Sequence, residues 1–178
     1  MNMMNRIPDA FKLIRVKSLE SNFFKRIDED WMLITAGTPH HFNTMTASWG
    51  GLGILWNKPV AICFIRPNRY TYQFAEKYNY FTLSFLGDQY RDILSFCGSH
   101  SGQDTDKIAR TGLKPVQLGP ESISFEQAVL IFECRKLYAD FIKPDNFIVH
   151  HIIGKHYPRM DFHRFYIGEI VNCYAKEE

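Results

Sequence analysis

Short β-branched and aromatic runs, each closed by a turn signal, constrain this chain more than anything else in it. Trp31 to Ala36 (WMLITA) ends at Gly37-Thr38-Pro39, Val60 to Ile65 (VAICFI) at Arg66-Pro67, and Phe81 to Leu86 (FTLSFL) at Gly87-Asp88. Ala128 to Leu137, Asn146 to Gly154 and Arg164 to Val171 read as strands in the same way. Helical segments are fewer: Tyr70 to Lys77, Arg91 to Phe96, and Asp104 to Arg110, the last capped by Asp104 or Thr105 with Gly112 just past its end. Strands and helices do not alternate, which argues against a doubly wound parallel sheet and for a barrel or sandwich with helices as insertions.

With 178 residues and 46% hydrophobic content, one domain spanning 1–178 with a sizeable core is expected. A net charge of +2 leaves no basic footprint for nucleic acid. No apolar run reaches the ~18 residues of a membrane span, and the N-terminus has no secretory apolar region. A cytoplasmic protein is the expectation. Cys63, Cys97, Cys134 and Cys173 are scattered without a CxxC pair, which predicts reduced, core-packed thiols.

Several chemistries are absent. There is no GxGxxG after a strand, no GxxxxGK[ST] and no GxSxG. His150, His151, His156, Asp161 and His163 crowd one stretch, but their spacing fits no zinc pattern. No metal is expected, and only His163 is singled out.

Phe42 to Thr71 carries the chemistry. Asn43 to Trp49 is a run of small and hydroxyl residues, followed by Gly50-Gly51-Leu52-Gly53. Small side chains let a flat ligand approach the backbone, and the hydroxyls of Thr46 and Ser48 can bond its polar edge. A plain strand with a bend explains the same letters equally well. Arg66-Pro67-Asn68-Arg69-Tyr70-Thr71 puts two guanidinium groups and a helix start within six residues, the makings of a phosphate site or of a solvated basic turn. Gly98 to Lys107 is a flexible loop running into a capped helix, able to complete an anion site or simply to begin a helix.

Five blocks in order, NTMTASWGGLGILW, KPVAICFIRPNRYT, YFTLSFL, GSHSGQDTDKIARTGL and DFHRFYIGEI, resemble the flavin reductase-like family of FMN-binding split β-barrels, which includes flavoredoxins. The resemblance implies a mainly β, six-stranded Greek-key split barrel with a few peripheral helices. It also implies a homodimer holding FMN non-covalently near the subunit interface. Met45, Thr46, Ala47 and Ser48 would line the ring system, with Ser84, Phe85 and Leu86 flanking it. Arg66, Arg69, Tyr70 and Thr71 would hold the phosphate end, with Gly102 and Lys107 reaching in. His163 would be the catalytic or pocket-shaping histidine. The activity implied is NAD(P)H-dependent flavin reduction, using NADH or NADPH as co-substrate and serving a monooxygenase or redox-protein partner. The alternative is a flavoredoxin-type electron carrier.

Overall fold

A computed structural model describes residues 5–176. In chain order its strands are β1 (Asn5–Arg6), β2 (Phe11–Leu13), β3 (Met32–Thr38), β4 (His41–Ala47), β5 (Gly50–Leu55), β6 (Lys58–Ile65), β7 (Tyr80–Leu86), β8 (Pro115–Gly119), β9 (Ser122–Phe125), β10 (Ala128–Phe141) and β11 (Arg164–Lys176). The α-helices are α1 (Phe23–Lys25), α2 (Tyr70–Lys77), α3 (Arg91–Ser99), α4 (Lys107–Thr111) and α5 (His151–His156).

Eight strands, rather than six, form the main sheet, in the order β4-β3-β7-β10-β11-β6-β5, with β2 pairing β11. The two strands at the ends of that path, β4 and β5, are consecutive in the chain, separated only by Ser48 and Trp49. Three Cα steps span at most about 11 Å, so the sheet must curl until its edges meet. That makes the fold a split barrel rather than an open sheet. Gly50 permits the closure: a Cβ there would lie 2.9 Å from the Ile62 carbonyl of β6 and 3.0 Å from the Met32 methyl of β3. The helix α2 carries the chain from β6 across to β7, which pairs β3 and β10, a Greek-key-type crossing. A three-stranded sheet, β1-β8-β9, covers β7 from outside.

Strand periodicity sorts the side chains into two layers. Met32, Ile34 and Ala36 of β3 point inward with Phe81, Leu83 and Phe85 of β7 and Phe132 and Cys134 of β10. Leu33, Leu86 and Ile131 point outward and pack under α3 and β9 with Leu94, Cys97 and Phe125. All four cysteines are buried and unpaired.

Three sequence expectations change. Asn146 to Gly154 is not a strand: it holds a short turn and α5, with Ile148 92% exposed. β10 and β11 pair antiparallel from Phe141↔Arg164 onward, so the chain between them is a connection with no strand beside it. The cap of α4 is Asp106, whose side chain accepts from the Ala109 amide, and not Asp104 or Thr105. Gly37 does not end β3: the pairing runs on to Thr38↔His41, leaving a two-residue hairpin at Pro39-His40.

Gly37 has φ +132°, and a Cβ would lie 2.4 Å from the His41 carbonyl and 2.5 Å from Phe42 Cα. Gly37→Ala is therefore expected to destabilise the fold by about 1–3 kcal/mol. A urea midpoint equal to that of the wild type would contradict this.

Candidate functional site

The end of β4 meets the end of β6 at a cleft of about 310 Å³ lined by Met45, Thr46, Ala47, Ser48, Trp49, Phe64, Arg66, Asn68, Arg69 and His163. Barrel closure brings Met45–Trp49 here. Antiparallel pairing of β6 with β11, in the register Ile65↔Arg164, sets Arg66 beside His163. Across Ser48, Trp49 and Phe64 the cleft adjoins a larger chamber of about 680 Å³, lined also by Phe23, Phe24, Ile27, Asp28, Leu52 and Ile142. Small-molecule sites occupy roughly 300–1,000 Å³, so the cleft suits one ring system and the chamber leaves room for a second.

Arg66 is fixed at two points. It donates through Nη1 to Asp161 Oδ2 at 2.7 Å and through Nη2 to the His156 carbonyl at 2.8 Å, and its guanidinium lies 5.2 Å from the Tyr157 ring centroid. The Arg66 hydrogen bond in turn holds the Asp161 carboxyl below the usual carboxylate range. Arg69 donates to the Gly98 carbonyl at 2.6 Å. Each arginine has five N–H donors, so both keep several for a ligand.

Lys107 is 5% exposed and donates to the Thr44 and Cys97 carbonyls at 2.8 and 2.9 Å. Burial pulls its pKa down to about 8, Cys97 works against that, and Arg69 adds to it. The Arg69 pKa is lowered by burial and then by Arg66. Arg69 thus shares repulsion with both Arg66 and Lys107, and an anion beside Arg69 relieves it.

Lys107 also supplies a pH signature. Its folded pKa lies below the 10.5 of the free side chain, so the unfolded chain binds more protons between about 8 and 10.5, and stability rises with pH across that window. Anion affinity moves the opposite way, because the charge is being lost. Phosphate-ligand titrations from pH 7 to 10 are expected to weaken while the melting temperature gains the Lys107 contribution. A Lys107→Met variant should lose both trends.

Gly102 lies against β4: a Cβ would stand 1.9 Å from Asn43 Oδ1. Asn43 in turn donates to Thr71 Oγ1 at 2.7 Å. Gly102 and Lys107 line a separate hollow of about 350 Å³ with Asn43 and Thr44. Thr71 is buried, and Tyr70 packs edge-on against Phe74 at 5.1 Å. These four brace the strand and helix that carry the cleft rather than lining it. Thr46 Oγ1 donates to the Leu94 carbonyl at 2.5 Å, which ties β4 to α3 and leaves that hydroxyl as an acceptor.

Ser84, Phe85 and Leu86 are not brought to the cleft. All three are buried, because β7 lies in the middle of the sheet with β3 on one side and β10 on the other. Ser84 bonds Ser124 at 2.8 Å, Phe85 packs into Phe132, and Leu86 belongs to the outer layer.

His163 lines the cleft, is 8% exposed and shares a 2.9 Å hydrogen bond with Tyr157 through Nδ1. Burial, and then Arg66, push its pKa down to about 4 against the opposing pull of Asp161, so it is neutral at pH 7. Trp49, Phe64, Asn68, Asp161 and Tyr157 complete the site and were not assigned to a ligand from sequence. Trp49 had a signal, since it ends the small-residue run. The Arg66–Asp161 pair spans 95 residues and has no local signature. Among the described residues no group of three or more potential metal ligands gathers.

A split barrel whose closing corner forms a ring-sized cleft, with a clamped pair of guanidiniums at its rim, defines a ligand-binding barrel of the cofactor-holding class. The chain belongs to the flavin reductase-like domain family, which matches residues 24–178. No curated protein matches it. Among solved structures, an FMN-binding protein from Thermus thermophilus with bound p-hydroxybenzaldehyde aligns with TM-score 0.67 and 20% identity, covering 92% of this chain and 81% of that chain. Flavoredoxin from Methanosarcina acetivorans aligns with TM-score 0.64 and 19% identity, covering 83% and 69%. An NADH:FAD oxidoreductase from Streptomyces globisporus aligns with TM-score 0.60 and 14% identity, covering 82% and 74%. At these identities the likeness is one of fold. No helix among the described residues is long and apolar enough to cross a membrane.

Proposed function

We propose that this protein binds FMN non-covalently and works as an NAD(P)H-dependent flavin reductase. The observation that carries the reading is the pair of clamped guanidiniums, Arg66 and Arg69, lining a ring-sized cleft, with the buried Lys107 adding positive charge near Arg69. Family membership supports it. The residues present fit the ligand: guanidinium donors suit a phosphate, and the backbone of Met45 to Ser48 with Trp49 suits a flat ring.

When bound, the flavin supplies the redox chemistry, and the protein supplies binding, orientation and electrostatics. Arg66 and Arg69 anchor the phosphate. Trp49 and Phe64 exclude water from one side. His163, neutral, adds a polar contact without adding charge. The adjoining chamber has one charged lining residue, Asp28, and no Lys or Arg among the described residues. It therefore favours an uncharged ring, such as reduced nicotinamide, and leaves a dinucleotide's phosphates outside.

The protein's proposed homodimerisation is supported by apolar side chains facing solvent: Phe24 at the chamber, 90% exposed, and Ile54 and Trp56 of the β5–β6 hairpin at 61% and 56%. A second copy covering them would bury a patch of the kind that marks interfaces. Unpaired buried thiols support a cytoplasmic location.

The purified chain, mixed with FMN and freed of excess, is expected to show flavin absorbance that bleaches when NADH or NADPH is added without oxygen. A yellow protein that neither nucleotide bleaches, but that accepts electrons from a reduced protein partner such as ferredoxin, assigns the flavoredoxin-type carrier instead. A colourless protein that leaves added FMN free overturns both readings.

A further inference from the structure

The cleft contains one polar contact whose chemistry is set from outside it. His163 and Tyr157 share a hydrogen bond of 2.9 Å through Nδ1 and the phenol oxygen. Among the described residues the phenol has no other hydrogen-bond partner. Tyr157 is 4% exposed, packed against Phe162 with ring centroids 4.7 Å apart and against Phe147 at 6.1 Å.

A neutral imidazole has one donor nitrogen and one acceptor nitrogen. If Nδ1 carried the proton, the phenol oxygen would accept it and the buried phenol O–H would be left with nothing to donate to. Leaving such a group unsatisfied is disfavoured. The phenol therefore donates, Nδ1 accepts, and the imidazole proton sits on Nε2.

Nε2 has no hydrogen-bond partner among the described residues. Among the described residues, Asp161 Oδ1 is the one buried side-chain nitrogen or oxygen without a partner. Nε2 consequently reaches solvent, and the opening that His163 lines is the cleft. Burial first, and then Arg66 from the turn after β6, keep the ring neutral; Asp161 alone attracts a proton, and Trp49 at 5.1 Å and Phe64 at 6.3 Å are uncharged.

We propose that Tyr157 is a positioning residue that locks His163 as the neutral Nε2–H tautomer, so that the cleft presents a fixed hydrogen-bond donor and selects ligands offering an acceptor atom there. The same residue lays its ring against the Arg66 guanidinium. One side chain thus sets both the polar contact and the anion clamp. That the acceptor is a carbonyl oxygen or ring nitrogen of a flavin rests on the FMN reading; the tautomer does not.

The test is 15N NMR of the full chain without ligand, His163 being assigned among the seven histidines by its loss in His163→Gln. The expected spectrum has Nδ1 in the lone-pair range and Nε2 in the N–H range at pH 7. A protonated Nδ1 overturns the proposal. Tyr157→Phe keeps the ring beside Arg66 and removes only the hydroxyl. It should give a mixture of tautomers and weaken FMN in proportion to the Nε2–H fraction lost, about twofold for an even mixture. An unchanged tautomer in Tyr157→Phe also overturns the proposal. If that variant fails to fold, the wild-type spectrum still decides. If FMN does not bind wild-type protein but the tautomer is locked, the FMN reading falls and the lock stands.

Discussion

Replacing Arg66 by alanine is expected to weaken FMN binding about a hundredfold. Charge-assisted hydrogen bonds contribute ~1.5–3 kcal/mol each, and each 1.4 kcal/mol is about tenfold in affinity. The substitution removes the ligand's donors and also releases Asp161 and the His156 carbonyl, both of which hold that guanidinium in place. Arg66→Lys restores the charge but not the planar fork, so it should recover only part of the loss. Flavin fluorescence quenching on binding reads all three proteins. An alanine variant within twofold of wild type would move the phosphate away from Arg66 and leave the cation cluster without its assigned ligand.

Phe85→Ala is expected to cost about 3–5 kcal/mol of folding stability. The side chain is fully buried between β3 and β10, edge-on to Phe132 at 5.9 Å and to Phe23 at 6.4 Å. A chain of this size loses about 2–4 °C of melting temperature per kcal/mol, so a drop of roughly 6–20 °C should appear by calorimetry. In protein that remains folded, FMN affinity should stay within a few-fold of wild type. This variant separates two roles that the sequence merged. A large affinity loss at unchanged melting temperature would put Phe85 at the ligand after all.

Phe81 to Leu86 illustrates why the letters were read correctly and the place was not. Alternation identified the strand, and the structure keeps its bounds within one residue. Alternation could not say that β7 would be flanked by β3 and β10 and covered by β9, which is what buries both of its faces. Asn146 to Gly154 failed for a related reason. Its apolar letters, Phe147, Ile148 and Val149, suit a strand, but no edge of the sheet is available to them once β10 pairs directly with β11. The run from Met45 to Trp49 was legible because small residues and glycines restrict what a backbone can do locally. Asp161 and Tyr157 were not legible, because their roles exist only through partners that the fold delivers.

By itself, the sequence determined the strand-rich class, the presence of the main helices, the reduced cysteines and the two short segments that meet at the cleft. Those properties are local, fixed by periodicity, turn chemistry and side-chain size over a few residues. The tertiary structure decided which faces are buried, which arginine is clamped and by what, and which nitrogen of His163 looks into the site. Those depend on contacts across tens of residues, made when the strip of strands closes at Ser48 and Trp49 and brings the ends of β4 and β6 together.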